Sequence, residues 1–338
     1  MNVTMEDIAK DCGISMMTVS RVISGKGLVS AATREKVLEA VKRLDFQINT
    51  VASNLARSRS GFIGIALPFH GLIGSDYFGE IVRGVQSVLM DTEWDISLFD
   101  IRARTFEDGA KLQQLHRTRK VDGLLVIAPN AHEAFLETFS SMRLPLVVVG
   151  KRVDHRGVCC VSCDDYQGIE SMCEHLHGLG HRRIAFVGGP AGFSVAHARE
   201  QAFLDFCARK RLSKKSRPLW RGDYSFKSGC DAGLALLQTE ERPTAIIAAN
   251  DAMAHGLIEA TRELRLTVPR DVSIGGFDDL PSSENIHPAL TTVHQPVFEM
   301  AAHGARLLVE ALNKQVRPEG RSLLKVRLIV RQSTGSIA

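Results

Sequence analysis

Apolar positions change their spacing twice along the chain. Over the first 45 residues they recur every three or four places, the period of a helix with one buried face. Three short helices are predicted: Met5 to Cys12 with Ile8 and Ala9 inward, Met16 to Ser24 with Val19 and Val22 inward, and Ala31 to Leu44 with Val37, Leu38, Val41 and Leu44 as its stripe. Thr4, Ser15 and Ser30 stand where N-caps belong, and Gly13 can take the left-handed turn that ends the first helix. From Asn49 to Ser60 the chain turns small and polar, with Val51, Ala52 and Leu55 still at helical spacing. That stretch is too short to hold a helix by itself.

From Gly61 onward the pattern becomes short continuous apolar runs: FIGIALP, DGLLVIAP, LPLVVVG, RIAFVGG, TAIIAAN and VSIGGFDD. Such runs, separated by amphipathic stretches, indicate parallel strands covered by helices on both faces. One series precedes about residue 161 and one follows it, so two lobes of similar design are expected, with Leu290 to Pro296 and the strand near Lys325 to Val330 carrying the chain between them. The predicted organisation is a three-helix head over residues 1–46, a hinge over 47–60 and an α/β body over 61–338. Within the body, one lobe takes about 61–160 plus 290–322 and the other about 161–289 plus 323–338.

Composition adds a few exclusions. At 338 residues and 44% hydrophobic, the chain has the content of an ordinary folded protein with more than one folding unit. Residues 1–60 hold nine Lys and Arg against six Asp and Glu, so three of the net four positive charges sit in the head and hinge. No apolar run approaches the roughly 18–20 residues that span a bilayer, and the start carries Glu6 and Asp7 instead of a signal-peptide core, so a cytoplasmic protein is expected. The seven cysteines are scattered and are expected to be thiols. Cys160 and Cys163 form a C-x-x-C beside Cys159, but on a strand their side chains diverge, which predicts buried, inert residues. His175, His177 and His181 lack a fourth ligand at metal spacing, so helix-end or surface roles are expected and no metal or cofactor is.

Two regions carry candidate chemistry. In the head, Ala9, Gly13 and Val19 stand at offsets of four and ten: a small residue at a helix crossing, a glycine in the turn and an apolar anchor in the second helix. That is the helix-turn-helix signature. The second helix then presents Thr18, Ser20 and Arg21 outward, groups suited to phosphates and base edges. In the body, ligands of open α/β sheets lie off the carboxyl ends of strands. Asn130, Asn250 with Asp251, and Asp278 with Asp279 follow predicted strands and are expected to face a cleft between the lobes.

The stretch from VTMEDIAKDCGISMMTVSRVISGKG through VASNLARSRSGFIG, together with RQST near the carboxyl end, resembles the lactose/galactose repressor family over nearly the whole chain. The resemblance implies a periplasmic-binding-protein-like sensor behind the head and a homodimer on palindromic operator DNA. It places Met16, Met17 and Arg21 at the base-reading positions, with Thr4, Ser15, Thr18, Ser20, Asn49 and Ala52 completing the DNA-contacting set. Arg21 is the hydrogen-bonding reader. Met16 and Met17 depart from the polar pair of the family's namesake and suit thymine methyls or DNA shape. Leu55 falls where a leucine wedges between central base pairs, with paired hinge helices in the minor groove folding only on DNA. For the effector, the resemblance adds Tyr77, Phe78, Arg199 and Tyr224 and agrees on Asp278. Aromatic faces suit the C–H face of a sugar, and carboxylates accept paired hydroxyls, so a sugar or sugar acid is expected, with a purine as the alternative. Phe193 and His197 differ from better-known relatives. The short tail after Arg331 has no heptad extension, which predicts a dimer and not a tetramer.

An enzyme is the main competing class. The paired aspartates of GFDDLP resemble acid/base chemistry, but no G-x-S-x-G elbow or Walker loop completes a site, and VGGPAGF has proline where a dinucleotide fingerprint needs an open turn. A periplasmic transport protein would share the two-lobed body but would leave the head unexplained. A constitutive DNA-binding protein with a silent sensor is the third class, and ligand titration distinguishes it.

Overall fold

The computed structural model describes residues 3–23, 27–46, 59–68, 75–101, 106–127, 144–154 and 157–337. Asn49, Ala52, Leu55 and Asn130 lie outside these residues. The chain divides into two compact units, Met1–Ser60 and Gly61–Ala338.

The first unit contains α1 (Met5–Cys12), α2 (Met16–Ile23) and α3 (Ala31–Arg43). Thr4 and Asp7 form a capping box: the Asp7 amide donates to Thr4 Oγ1 at 3.3 Å, and the Thr4 amide donates to Asp7 Oδ2 at 2.9 Å. Gly13 closes α1 at φ 65°, where the Ile14 amide donates back to the Ala9 carbonyl at 3.0 Å. Ala9 and Val19 meet in one core with Ile8, Cys12, Val22, Val37 and Ala40, which fixes the crossing of α1 and α2. The third helix departs from the expected stripe. Its buried arc runs through Val37 and Ala40, flanked by partly buried Val41 and Leu44, and Leu38 is 47% exposed. Leu38 stands about 100° round the helix from Val37, outside the arc that these four span.

The second unit holds two six-stranded sheets. The first contains β1 (Phe62–Leu67), β2 (Asp95–Asp100), β3 (Gly123–Ile127), β4 (Leu146–Val149), β5 (Cys159–Cys163) and β11 (Arg321–Leu324), in the order β11-β5-β4-β3-β1-β2 and parallel throughout. The second contains β6 (Ile184–Gly188), β7 (Leu219–Arg221), β8 (Ala245–Ala248), β9 (Ser273–Asp278), β10 (Thr291–His294) and β12 (Arg327–Ile329). Its order is β12-β10-β9-β8-β6-β7, with only the β10–β12 pair antiparallel. Strands β3, β4, β5, β6, β8 and β9 are buried along their whole length, which is why their sequences read as unbroken apolar runs. On β5, Cys159, Val161 and Cys163 join the core on one face of the sheet and Cys160 the core on the other.

The helices are α4 (Asp76–Leu89), α5 (Phe106–Arg117), α6 (Asp165–Gly178), α7 (Ser194–Arg209), α8 (Phe226–Leu237), α9 (Asp251–Glu263), α10 (Pro281–Asn285) and α11 (Val297–Lys314). α4 and α11 cover one face of the first sheet, while α8 and α9 press backbone to backbone beside the second. A methyl on Gly229 of α8 would lie 2.1 Å from the Met253 carbonyl oxygen, so only glycine permits that approach. None of the helices among the described residues is long and apolar enough to cross a membrane.

The chain crosses between lobes after Cys163, at Gln295–Pro296 and at Lys325–Val326. These crossings move the lobe limits drawn from sequence. Residues 161–163 and 323–324 pair within the first sheet, and 291–294 pair with β9 in the second. The physical reason is that β10 must satisfy its ladder against β9 before the chain can turn, so the switch waits for Gln295.

Candidate functional site

The outer face of α2 is built by its cap. Ser15 Oγ accepts from the Thr18 amide at 3.2 Å and lies 2.9 Å from Thr18 Oγ1, which fixes the amino end of the helix. With Val19 and Val22 buried, Met16 (57% exposed), Met17 (64%), Ser20 and Arg21 share the solvent side, and the Arg21 stem lies along Gly27. The hydroxyls of Thr4 and Ser15 are thus engaged at helix ends.

In the second unit, residues from both lobes converge at the carboxyl ends of the strands. Arg199, on α7, is 4% exposed. Its Nε donates to Asp165 Oδ1 at 2.8 Å, Nη1 to the Ala249 carbonyl, and Nη2 to Gln295 Oε1 at 3.3 Å. Asp278 Oδ1 stands 3.8 Å from Nη1, and the guanidinium lies 3.6 Å from the centroid of the Phe277 ring. One buried cation therefore faces two carboxylates. Burial pushes Asp165 and Asp278 above the ordinary carboxylate range and Arg199 draws both back. Burial opposes the charge on Arg199, yet Asp165 and Asp278 hold its pKa above the usual guanidinium value. Arg199 is thereby kept charged without solvent.

Tyr77, from the first lobe, faces this cluster. It lies at the start of α4, where Ser75 Oγ accepts from the Phe78 amide at 3.2 Å, and its hydroxyl sits beside Gly150, where a methyl would come within 3.4 Å. Burial raises the Tyr77 phenol, and the charge of Asp278 raises it further. Phe78 packs on the first lobe's core beside it. On the second lobe Tyr224 adopts φ 70°, a left-handed conformation held by Asn250 Nδ2 donating to the Tyr224 carbonyl at 3.0 Å. The Asn250 Oδ1 accepts from the Met253 amide at 3.0 Å and so caps α9 as well. The Tyr224 ring meets Phe193 edge to face at 5.8 Å, and its buried hydroxyl has no hydrogen-bond partner. An unpartnered buried hydroxyl costs about 1–3 kcal/mol.

Two sequence expectations are corrected. Asp251 does not face the cleft: it is fully buried and accepts from the Leu280 amide (3.0 Å), Ser283 Oγ (2.6 Å) and Thr292 Oγ1. Burial pushes its pKa up to about 6 despite those donors. Asp279 turns away from Asp278 at φ 59° and pairs with His294 (2.9 Å) and Arg331 (2.7 Å), tying the carboxyl-terminal segment to the second lobe. His181 stands at a helix end, where its amide donates to the Leu176 carbonyl at 3.1 Å, and its ring is buried, with nitrogens 3.0 Å from Thr244 Oγ1, Ser273 Oγ and the Gly335 carbonyl. Asp165, Gln295 and Phe277 were not anticipated. Asp165 could have been found by the same strand-end rule that selected Asn250, because it stands two residues past β5 as Asn250 stands two past β8. Gln295 sits at a lobe crossing, where its amide donates to the Asp278 carbonyl at 3.1 Å.

A helix-turn-helix unit followed by a two-lobed α/β unit with a buried polar cluster at the strand ends defines a ligand-responsive DNA-binding regulator. Residues 4–49 match the bacterial regulatory proteins of the lacI family, and residues 173–334 match a periplasmic binding protein-like domain. Catabolite control protein A of Priestia megaterium is 31% identical over 340 residues, covering 99% of this chain and 100% of the relative. The fold is similar to that of the lac repressor dimer bound to operator and the anti-inducer ONPF, with TM-score 0.87, 28% identity, and coverage of 99% of this chain and 100% of that one. It is also similar to the transcriptional regulator CelR–cellobiose complex, with TM-score 0.72, 27% identity, and coverage of 98% and 100%. The chain belongs to the lacI family of bacterial regulatory proteins. It is a DNA-binding transcription regulator and not an enzyme.

Proposed function

We propose that this protein is a cytoplasmic repressor that binds palindromic operator DNA as a homodimer and releases or tightens its grip when a small hydroxylated molecule, a sugar or sugar acid, occupies the cleft. Arg199 and Asp278 grip the effector, Tyr77 and Phe78 contact it from the first lobe, Tyr224 and Asn250 from the second, and Asn130 completes the set. In the head, Arg21 reads base edges by hydrogen bonding, while Met16 and Met17 meet thymine methyls. Thr4, Ser15, Thr18 and Ser20 contact phosphates. The hinge, with Asn49, Ala52 and Leu55, folds in the minor groove. The proposed divisions are residues 1–46, 47–60 and 61–338.

The observation that carries the effector reading is the buried Arg199 between Asp165 and Asp278, with a donor bond to Gln295 at a lobe crossing. A ligand that engages Arg199 alters a contact at the point where the lobes join. It can thereby favour one lobe arrangement over another, provided its affinity for the two differs. The test is selection of bound duplexes from a random pool, followed by titration of sugars and sugar acids against the selected operator. Selection of a palindrome whose affinity shifts with one of them supports the reading. No preference over random duplex, with or without added metabolite, refutes it.

A further inference from the structure

The Tyr224 hydroxyl is buried and unpartnered, and contacts on both the backbone and the ring fix the residue's position. The backbone is pinned in the left-handed region by Asn250. The ring rests on Gly189, where a methyl would come within 2.3 Å of Cζ and 2.4 Å of Oη, and Phe193 meets it edge to face. A tyrosine so fixed cannot swing its oxygen toward solvent to find a partner. Gly189 lies against the ring and Phe193 meets it edge to face, so the ring already has protein partners while the oxygen has none. That oxygen belongs to the same electrostatic neighbourhood as Arg199, Asp165 and Asp278.

Resting on the reading of this cleft as the effector site, we propose that Tyr224 Oη reads a hydroxyl group of the effector by hydrogen bonding, instead of offering its ring as a stacking surface. The end of the effector seated on the second lobe is uncharged. Two buried carboxylates flank the one guanidinium there, so a carboxylate or phosphate drawn to Arg199 would also meet Asp165 and Asp278. A sugar hydroxyl can donate to either carboxylate and accept from the phenol, which leaves no group unpaired. The ligand class at this end is therefore the neutral sugar and not the sugar acid.

The test uses the full chain, with ribose, xylose, glucose, galactose and cellobiose as neutral probes and gluconate, glucuronate and galacturonate as acidic ones, measured by thermal shift and calorimetry. At least one neutral probe should bind. Tyr224→Phe should weaken that probe about tenfold or more, the loss of one buried hydrogen bond. It should also leave the ligand-free melting temperature equal or higher, because the unpartnered oxygen is gone. Among singly deoxygenated analogues of the probe, one should bind wild type and Tyr224→Phe equally well, which names the hydroxyl that is read. A purely structural tyrosine would instead lower the ligand-free melting temperature and weaken every analogue by a common factor, and that result overturns the proposal. Tighter binding of an acid than of its neutral counterpart overturns it too, while leaving the effector reading standing. If no probe of either kind binds, both fall.

Discussion

At the scale of single residues, Arg199 decides most. Its guanidinium is the counter-charge for Asp165 and Asp278, and all three side chains are withdrawn from solvent. Replacing it with methionine keeps much of the volume over Phe277 but leaves two carboxylates facing each other. Removing one partner of a buried pair costs about 3–5 kcal/mol. The deficit should also depend on pH. Both carboxyls already sit above their ordinary range through burial, and without Arg199 they rise further. A carboxyl whose folded pKa exceeds its unfolded one binds a proton in the native state that the unfolded chain has released. Its penalty is absent below the unfolded value and grows as pH rises through the folded one. Arg199→Met should therefore be further below wild type at pH 8 than at pH 5 in paired thermal melts. An equal deficit at both would assign the loss to packing on Phe277 instead of charge.

At the scale of elements, periodicity was informative wherever a face is buried and silent where burial alone does not choose between alternatives. The head helices were legible to within a residue because cap, turn glycine and apolar spacing all agree at Thr4, Gly13 and Ser30. Leu38 was misplaced because a leucine beside Val37 reads as core until the helix angle is counted. The switch at Gln295 was illegible because the apolar run of β10 is the same whichever sheet receives it. In the cleft, Asp251 and Asp279 could not be told from Asp278 by sequence, since all three are aspartates after strands. Only the positions of Ser283, Thr292, His294 and Arg331 separate them. The helix angle makes a direct prediction for α3. Val37→Ala should destabilise the head by about 2 kcal/mol, two lost buried carbons plus a small cavity, while Leu38→Glu should stay within about 0.5 kcal/mol. Hydrogen exchange of the head amides in the full chain measures both, and equal protection losses would contradict the placement. For the hinge, the proposed wedge predicts that Leu55→Ala cripples selective operator binding and spares effector binding. Unchanged operator affinity would remove the wedge from the account.

For the whole molecule, protons act on stability through two opposed sets of buried groups. Burial lowers the pKa of His175, His181 and His255. A histidine shifted down stays neutral in the fold while the unfolded chain takes up a proton, so its contribution is complete above about 6.5 and is lost as pH falls through the folded value. Asp251, pushed up to about 6, works the other way. Between its unfolded value of 3.8 and about 6 the native state holds the extra proton, so acidification relieves the cost of burying that carboxylate. Asp165 and Asp278 share its sign. The acid side of the stability profile is thus a balance, and single substitutions should tilt it in opposite directions. His181→Gln should lose less melting temperature than wild type between pH 7 and pH 5.5, because one proton acceptor of the unfolded chain is gone. Asp251→Asn should lose more over the same interval, because the compensating proton uptake is gone while an amide can still accept from Leu280 and exchange hydrogen bonds with Ser283 and Thr292. Calorimetric scans of the three proteins at matched ionic strength give the slopes. Parallel slopes would mean that the buried histidines and Asp251 titrate alike in the folded and unfolded chain, so that burial leaves their proton affinities where water sets them.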